Sequence, residues 1–355
     1  MIEITVPLAA RSYRVLIADG TLSALGELVR AHVTPAPTAL ALIADRQVAS
    51  LHGAAALAAL ASIDVPRVTI TTPQGEVAKQ LAVYGEVLEQ LAAARLDRGA
   101  LIVALGGGVV GDLAGFAAAT YLRGIRFVSV PTTLLAQVDA AVGGKTGINL
   151  GAGKNLAGAF HQPSLVVIDP STLATLPRGE LNAGMGEVLK YGLMAEPAIL
   201  ASLEAPAPPE WPELIARCVR IKARVVQRDE REGGERAHLN LGHTFAHAIE
   251  RAQDYGGLRH GEAVGLGLVA ACHLSHRLLG CDPGLTPRMR ALLERQQLPT
   301  RVAVPVERVL PHLGADKKRH GAELRLVLLE RLGVPRVVRA PDAALLREAL
   351  ELICG

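Results

Sequence analysis

Residues 100–122 read ALIVALGGGVVGDLAGFAAATYL, and this stretch decides the fold. Ala100–Leu105 is a run apolar enough to form a strand buried on both faces. A glycine turn follows, and the alanine-rich segment after Asp112 has helical spacing. Gly106, Gly108 and Gly111 fit the pattern G-x-G-x-x-G in a strand–turn–helix context, where backbone N–H groups at a helix N-terminus can cradle dinucleotide phosphates. The usual fingerprint carries an acid about 20 positions later for the ribose. Here that region is FVSVPTT (Phe127–Thr133), without an acid, and the best-placed carboxylate is upstream at Asp45. A plain structural glycine turn stays open as the alternative, and Asp45 alone is equally a good helix N-cap.

Working outward, strands and helices alternate. Thr38–Ala44, Arg67–Thr71, Arg126–Val130 and Leu165–Ile168 are further strand candidates, and Val77–Arg95 has helical spacing. The N-terminus, MIEITVPLAARSYRVLIADG, also alternates like a strand. Such alternation predicts an α/β Rossmann-like domain with a mostly parallel sheet covered on both faces. From about Pro177 helical periodicity dominates, broken by the Pro-rich stretch Ala205–Pro212. A short apolar strand candidate (Leu324–Leu329) and a last helix (Asp342–Cys354) close the chain. The expected organisation is an NAD-binding-type α/β domain over 1–176 and a mainly α-helical domain over 177–355.

The second informative stretch is RAHLNLGHTFAHAIERAQDYGGLRH, Arg236–His260. Read as one helix, it places Arg236, Asn240, His243 and His247 on one face, at spacings of four, three and four. The neighbours Leu239, Leu241, Phe245, Ala246, Ala248 and Ile249 suit burial, and His260 adds a third imidazole. Buried polar groups cost free energy unless paired, so the stripe calls for a partner such as a metal or an anion. The competing reading is the wet face of a surface helix.

Bulk numbers bound the rest. The 355 residues allow two domains; half are apolar but only 3% aromatic, so the cores are built from Ala, Leu and Val. A dispersed net charge of +3 argues against a nucleic-acid partner. Cys218, Cys272, Cys281 and Cys354 form no CxxC pair, which suggests reduced thiols. No signal peptide is evident and no apolar run reaches the ~20 residues of a membrane span. A cytoplasmic protein without membrane attachment is expected. GGKT at Gly143–Thr146 imitates the end of a Walker A loop, but that motif requires glycine where Asp139 stands.

Taken together, several blocks resemble the 3-dehydroquinate synthase family of sugar phosphate cyclases. They are PQGEVAK (Pro73–Lys79), GGGVVGD (Gly106–Asp112), YLRGIRFVSVPTTLLAQVDAAVGGKTGIN (Tyr121–Asn149) and GKNLAGAFHQP (Gly153–Pro163), followed by GMGEVLKYG, LNLGHTFAHAIE, LRHGEAV and DKK. They occur in the family's order between about residue 45 and 318. The resemblance implies zinc or cobalt ligands at Glu187, His243 and His260. Spacing alone would pair His243 with His247; the resemblance instead makes His247 a substrate-side catalytic residue.

For NAD the resemblance implies Asp45, Glu76, Lys79, Gly107, Gly108, Val109, Gly111, Asp112, Thr132, Thr133, Lys145 and Lys154, with Thr172, Leu173, Ala174 and Thr175. For the substrate it implies Arg123, Asp139, Lys145, Asn155, Lys190, Lys222, Arg236, Asn240, His247 and Lys317, with catalytic roles at His247, Asn240, Lys145, Glu187 and Lys190. Arg123 is expected to reach a neighbouring subunit's site, which implies a homodimer. The implied reaction turns 3-deoxy-D-arabino-heptulosonate 7-phosphate into 3-dehydroquinate and phosphate. It runs by transient oxidation at C5, elimination, re-reduction, ring opening and aldol closure, as the second shikimate-pathway step leading to aromatic amino acids. A relative cyclising another sugar phosphate and a metal-dependent polyol dehydrogenase are the competing readings.

One local alternative and one departure from the family pattern stand at this stage. Glu187 and Lys190, at i and i+3, could form only a surface ion pair. Gly186 stands where the family usually carries alanine, which is expected to be a mild change.

Overall fold

The computed structural model describes residues 1–207, 209–254, 256–314 and 324–355. The chain divides into two compact units, Met1–Pro177 with Trp211–Gln227, and Arg178–Glu210 with Arg228–Gly355. The helix Trp211–Arg228, which the sequence division at 176/177 puts in the second domain, groups with the first unit up to Gln227.

The first unit is built on a seven-stranded sheet. Its strands are β1 (Ile2–Val6), β2 (Tyr13–Ile17), β3 (Leu40–Asp45), β4 (Arg67–Thr72), β5 (Leu101–Gly106), β6 (Arg126–Pro131) and β9 (Leu165–Ile168); β7 (Lys145–Leu150) and β8 (Gly153–Phe160) lie outside it. The order is β1-β2-β9-β6-β5-β3-β4. Every neighbouring pair is parallel except β1–β2. Period-two geometry sends Leu40, Leu42 and Ala44 of β3 to one face, with Leu101, Val103 and Leu105 of β5, against Leu25, Val29 and Leu60. Ala41, Ile43, Ile102 and Ala104 point the other way, against Val87, Leu91, Leu113 and Ala117. Each fully buried Leu, Ile or Val contributes roughly 1.5–3 kcal/mol, so the two-sided apolar strands hold this unit together.

The antiparallel hairpin β7–β8 was not evident from its glycine- and lysine-rich sequence. Thr146 Oγ1 donates to the Ala159 carbonyl across it at 2.8 Å, and a Cβ on Gly158 would lie 2.2 Å from the Thr146 carbonyl oxygen. Close backbone approach explains the glycines. The expected helix Val77–Arg95 is a 3-10 turn (Glu76–Lys79) followed by a helix at Leu81–Ala93.

The second unit is mainly helical. Arg178–Met194 is buried at every position from Asn182 to Met194, and His260–Leu279 is buried at nearly every position from Gly261 to Ser275. The hairpin β10 (Arg325–Arg331) and β11 (Val334–Arg339) covers part of this bundle, and the chain closes with the helix Ala343–Glu351, capped by Asp342. The reading of Arg236, Asn240, His243 and His247 as one face of a single helix is overturned. Glu235–Asn240 is a 3-10 turn, Leu241 leaves the helical region at ψ 125° and Gly242 is left-handed at φ 79°, and a new helix runs His243–Ala252. A helix cannot pass through a left-handed residue, and only glycine adopts that geometry cheaply.

Candidate active site

The helices of the second unit bring together three groups that lie far apart in sequence. Glu187 sits in mid-helix on Arg178–Met194, and His243 opens the helix after Gly242. His260 is the first residue of the long helix to Leu279. Glu187 Oε1 is 3.4 Å from His243 Nε2 and 3.5 Å from His260 Nε2. One ligand atom from each lies within 4.8 Å of the others, a spacing that can hold one metal ion. His243 Nδ1 lies 3.2 Å from the Leu241 carbonyl, a contact in which Nδ1–H donates and Nε2 keeps its lone pair toward Glu187.

This carboxylate is no surface group. Glu187 and Lys190 are both only 2% exposed, and the Lys190 ammonium rests against Glu187 Oε2, so the surface ion-pair alternative is excluded. Burial works against the charge on Glu187. The Lys190 ammonium and the two imidazoles outweigh it and hold the carboxyl well below the usual range. Burial likewise disfavours protonated His260, but hydrogen bonds to Glu187 and Glu250, and their charges, push it up to about 10. His247 goes the other way. Burial, then the nearby His243 and His260, push it down to about 4, although part of the residue is exposed to solvent. The result is a neutral imidazole beside a cation-binding cluster.

A Cβ on Gly186 would lie 2.0 Å from the Gly261 carbonyl oxygen, and one on Gly261 would lie 1.6 Å from that of Ala183. The glycine in place of alanine at 186 is thus not mild in this chain: it lets the backbones carrying Glu187 and His260 touch. Nearby, Asn240 Nδ2 donates to Glu232 Oε1 at 3.0 Å. Arg236 is buried, its backbone N–H donates to Asp229 Oδ2 at 2.9 Å, and its guanidinium donates to the Glu230 carbonyl. The 3-10 turn and the following helix therefore still gather Arg236, Asn240, His243 and His247 in one unit, by a route other than one helix face.

In the first unit, β5 ends at Gly106 and the helix Gly108–Thr120 starts with Gly107 as N-cap, with no side-chain cap. Its first turn carries Val109, Gly111 and Asp112. A Cβ on Gly107 would lie 2.9 Å from the Thr133 methyl, so the backbone is closely framed by Thr133, while Thr132 N–H donates to the Gly106 carbonyl at 3.0 Å. An uncapped helix start of bare glycine backbone suits a phosphate. Buried Lys79 bridges Asp112 and Asn155, the latter left-handed at φ 55°. Asn149 Nδ2 donates to Glu76 Oε2 at 2.7 Å, and Lys154 stands 3.9 Å from Glu76. Lys222 pairs with Asp139 at 3.0 Å and also donates to its backbone carbonyl.

The remaining positions are more dispersed. Asp45 ends β3 and caps the next turn, accepting from Gln47 and Val48 N–H, so the bland role is realised. Thr172, Leu173, Ala174 and Thr175 form a 3-10 turn that buried Gln137 ties to Pro131 and Asp169. His52 Nε2 meets Thr175 Oγ1 at 2.9 Å. Lys145 is exposed at the start of β7, and Arg123 is exposed at φ 69°. Lys317 lies outside the described residues. Glu232, Gln137 and Asn149 are contacts the sequence reading missed; polar residues of no special spacing gave it no signal.

The family model described as 3-dehydroquinate synthase N-terminal matches residues 69–183, and the one described as 3-dehydroquinate synthase C-terminal matches 184–319. The chain is 46% identical over 358 residues to a 3-dehydroquinate synthase from Paracoccus denitrificans, covering 97% of each. It is 45% identical to one from Bordetella pertussis, covering 99% of this chain and 98% of the relative. Among solved structures, 2-deoxy-scyllo-inosose synthase complexed with carbaglucose-6-phosphate, NAD+ and Co2+ superposes with a TM-score of 0.88 at 25% identity, covering 98% and 99%. ValA, a 2-epi-5-epi-valiolone synthase from Streptomyces hygroscopicus with NAD+ and Zn2+ bound, gives 0.85 at 28%, covering 96% of each chain. A probable glycerol dehydrogenase from Sinorhizobium meliloti shares the fold at 16% identity and a TM-score of 0.61.

Proposed function

The chain belongs to the 3-dehydroquinate synthase family, and on that premise we propose which of its residues carry the reaction. The activity is conversion of 3-deoxy-D-arabino-heptulosonate 7-phosphate to 3-dehydroquinate and phosphate, a carbon–oxygen lyase step of the shikimate pathway, dependent on NAD and a divalent metal. When bound, NAD supplies reversible oxidation at C5 and the metal a Lewis acid for the oxygen there, with no net redox change.

Glu187, His243 and His260 hold the metal. The observation that carries this assignment is the convergence of their three ligand atoms around a buried carboxylate. A carboxylate with two imidazoles is a donor set for zinc or cobalt and leaves positions for substrate oxygens. The uncapped glycine turn, Gly107–Asp112, holds the NAD phosphates, with Asp45, Glu76, Lys79, Thr132, Thr133, Lys154 and the Thr172–Thr175 turn around the rest. Lys145, Lys222 and Arg236 supply countercharge to the substrate's carboxylate and phosphate, and Lys317 joins them on its sequence position. Asp139 orients Lys222. Asn155, held by Lys79, and Lys190 contact substrate hydroxyls. His247, neutral near pH 7, can accept a proton and pass it on, with Asn240 alongside.

The protein acts as a homodimer without nucleic-acid or membrane partners, in the cytoplasm. Leu156 and Phe160 stand exposed, two residues apart from Gly158 on the same face of β8, and Leu122 is exposed beside Arg123; a second copy would cover such apolar surface. Among the described residues no helix is long and apolar enough to cross a membrane. Identity of 42–48% to dehydroquinate synthases against 25–28% to the inosose and valiolone synthases favours the heptulosonate substrate. Release of inorganic phosphate from that substrate with NAD and zinc tests the reading; a metal-loaded protein that releases none overturns it.

A further inference from the structure

We propose that Glu250 is a positioning residue that fixes which nitrogen of His260 faces the metal. The inference rests on the reading of Glu187, His243 and His260 as the metal site. Glu250 is buried on the helix His243–Ala252, seven residues after His243 and therefore on the same helical face. Its Oε1 lies 3.3 Å from His260 Nδ1, while His260 Nε2 points to Glu187 Oε1 at 3.5 Å. The two carboxylates thus take opposite nitrogens of one ring.

The choice matters because the same helices offer a second possible metal group. His247, Glu250 and His260 also bring ligand atoms within 4.8 Å of one another. His260 belongs to both groups. A neutral imidazole carries one N–H, so whichever nitrogen donates cannot ligate. With Nδ1–H donating to Glu250, the lone pair on Nε2 faces Glu187 and His243. Glu250 Oε1 then serves as a hydrogen-bond acceptor, and His260 Nδ1 has no lone pair to offer the competing group. A carboxylate behind a ligating imidazole also makes the ligand more basic and holds its plane.

Zinc affinity, read by competition with a chromophoric chelator, tests this in the parent, Glu250→Ala, Glu250→Gln and His243→Ala proteins. Circular dichroism follows folding, calorimetry follows NAD binding, and the visible spectrum of the Co2+-loaded proteins reports ligand geometry. The expected result is zinc binding about 10- to 100-fold weaker in Glu250→Ala. Glu250→Gln should fall in between because its amide oxygen still accepts from Nδ1, and NAD affinity should be unchanged in both. Parent-like zinc affinity in Glu250→Ala, or equal losses in the two variants, overturns the inference. Should the alanine protein not fold, the glutamine protein decides: weakened zinc with a shifted cobalt spectrum supports the role, and parent values for both overturn it. A folded parent that binds no zinc overturns the metal site itself. Loss of zinc in His243→Ala beside parent-like Glu250→Ala overturns only the role of Glu250.

Discussion

Gly186 and Gly261 face each other so closely that a methyl group on Gly186 would stand 2.0 Å from the Gly261 carbonyl oxygen. Each glycine precedes or follows a metal-binding candidate by one residue. The approach of the two backbones is therefore also the approach of Glu187 to His260. Gly186→Ala has no flexible side chain to push aside, since its neighbour is backbone. Overpacking of this kind costs about 1–3 kcal/mol, so the variant should melt several degrees lower and bind zinc more weakly. An unchanged melting temperature with unchanged zinc affinity contradicts the packing described for this contact.

Zinc binding should depend steeply on pH. Without metal, His260 is raised from 6.5 to about 10 by Glu187 and Glu250 acting against burial. A raised folded-state value means that this proton stabilises the metal-free protein fully below about pH 6.5. That contribution fades as pH rises through about 10. Zinc must displace the proton, so its affinity should climb from pH 6 toward pH 9, with proton release on binding. Calorimetry in buffers of different ionisation enthalpy measures that release; a flat affinity over the range contradicts the coupling.

Lys79 joins the glycine-turn helix, through Asp112, to the hairpin, through Asn155. Lys79→Ala removes a buried ammonium and leaves partly buried Asp112 without its cation, at a cost of about 1–3 kcal/mol. NAD affinity should fall together with stability, while zinc affinity stays at the parent value. Calorimetric titration with each ligand distinguishes the two, and parent-like NAD binding contradicts the role given to this lysine.

Lys222→Ala should separate substrate handling from the metal. Its ammonium pairs with Asp139 Oδ2 at 3.0 Å and donates to the Asp139 carbonyl at 2.7 Å. The expected outcome is a raised KM or a lowered kcat/KM for the heptulosonate phosphate at unchanged zinc and NAD affinity. Loss of zinc in this variant contradicts the assignment.

Much of this architecture was legible because its signals are local. The strands Leu40–Asp45 and Leu101–Gly106 are buried throughout, apolar over Leu40–Ala44 and Leu101–Leu105, and the glycine turn follows the second directly. The hairpin β7–β8 was not legible, since its glycines reflect backbone contact with a partner strand and not a local preference. The stripe from Arg236 to His247 misled in a specific way. Its spacing fits a helix, but Gly242 breaks that helix, and the residues converge through a turn. Glu187 and His260 could not be joined by spacing at all; only the family resemblance linked them, and the buried helix crossing at Gly186 and Gly261 explains how they meet. Glu250 was visible in sequence as the end of HAIE, yet nothing local tied it to His260.

The most direct test follows phosphate release and reduced-nicotinamide absorbance in one reaction containing the heptulosonate phosphate, catalytic NAD and zinc, for the parent and for His243→Ala. The account predicts sustained phosphate release from the parent, no accumulation of reduced nicotinamide, and loss of both zinc and phosphate release in the variant. Reduced nicotinamide accumulating in step with product, or a zinc-free His243→Ala protein that releases phosphate at the parent's rate, would contradict it.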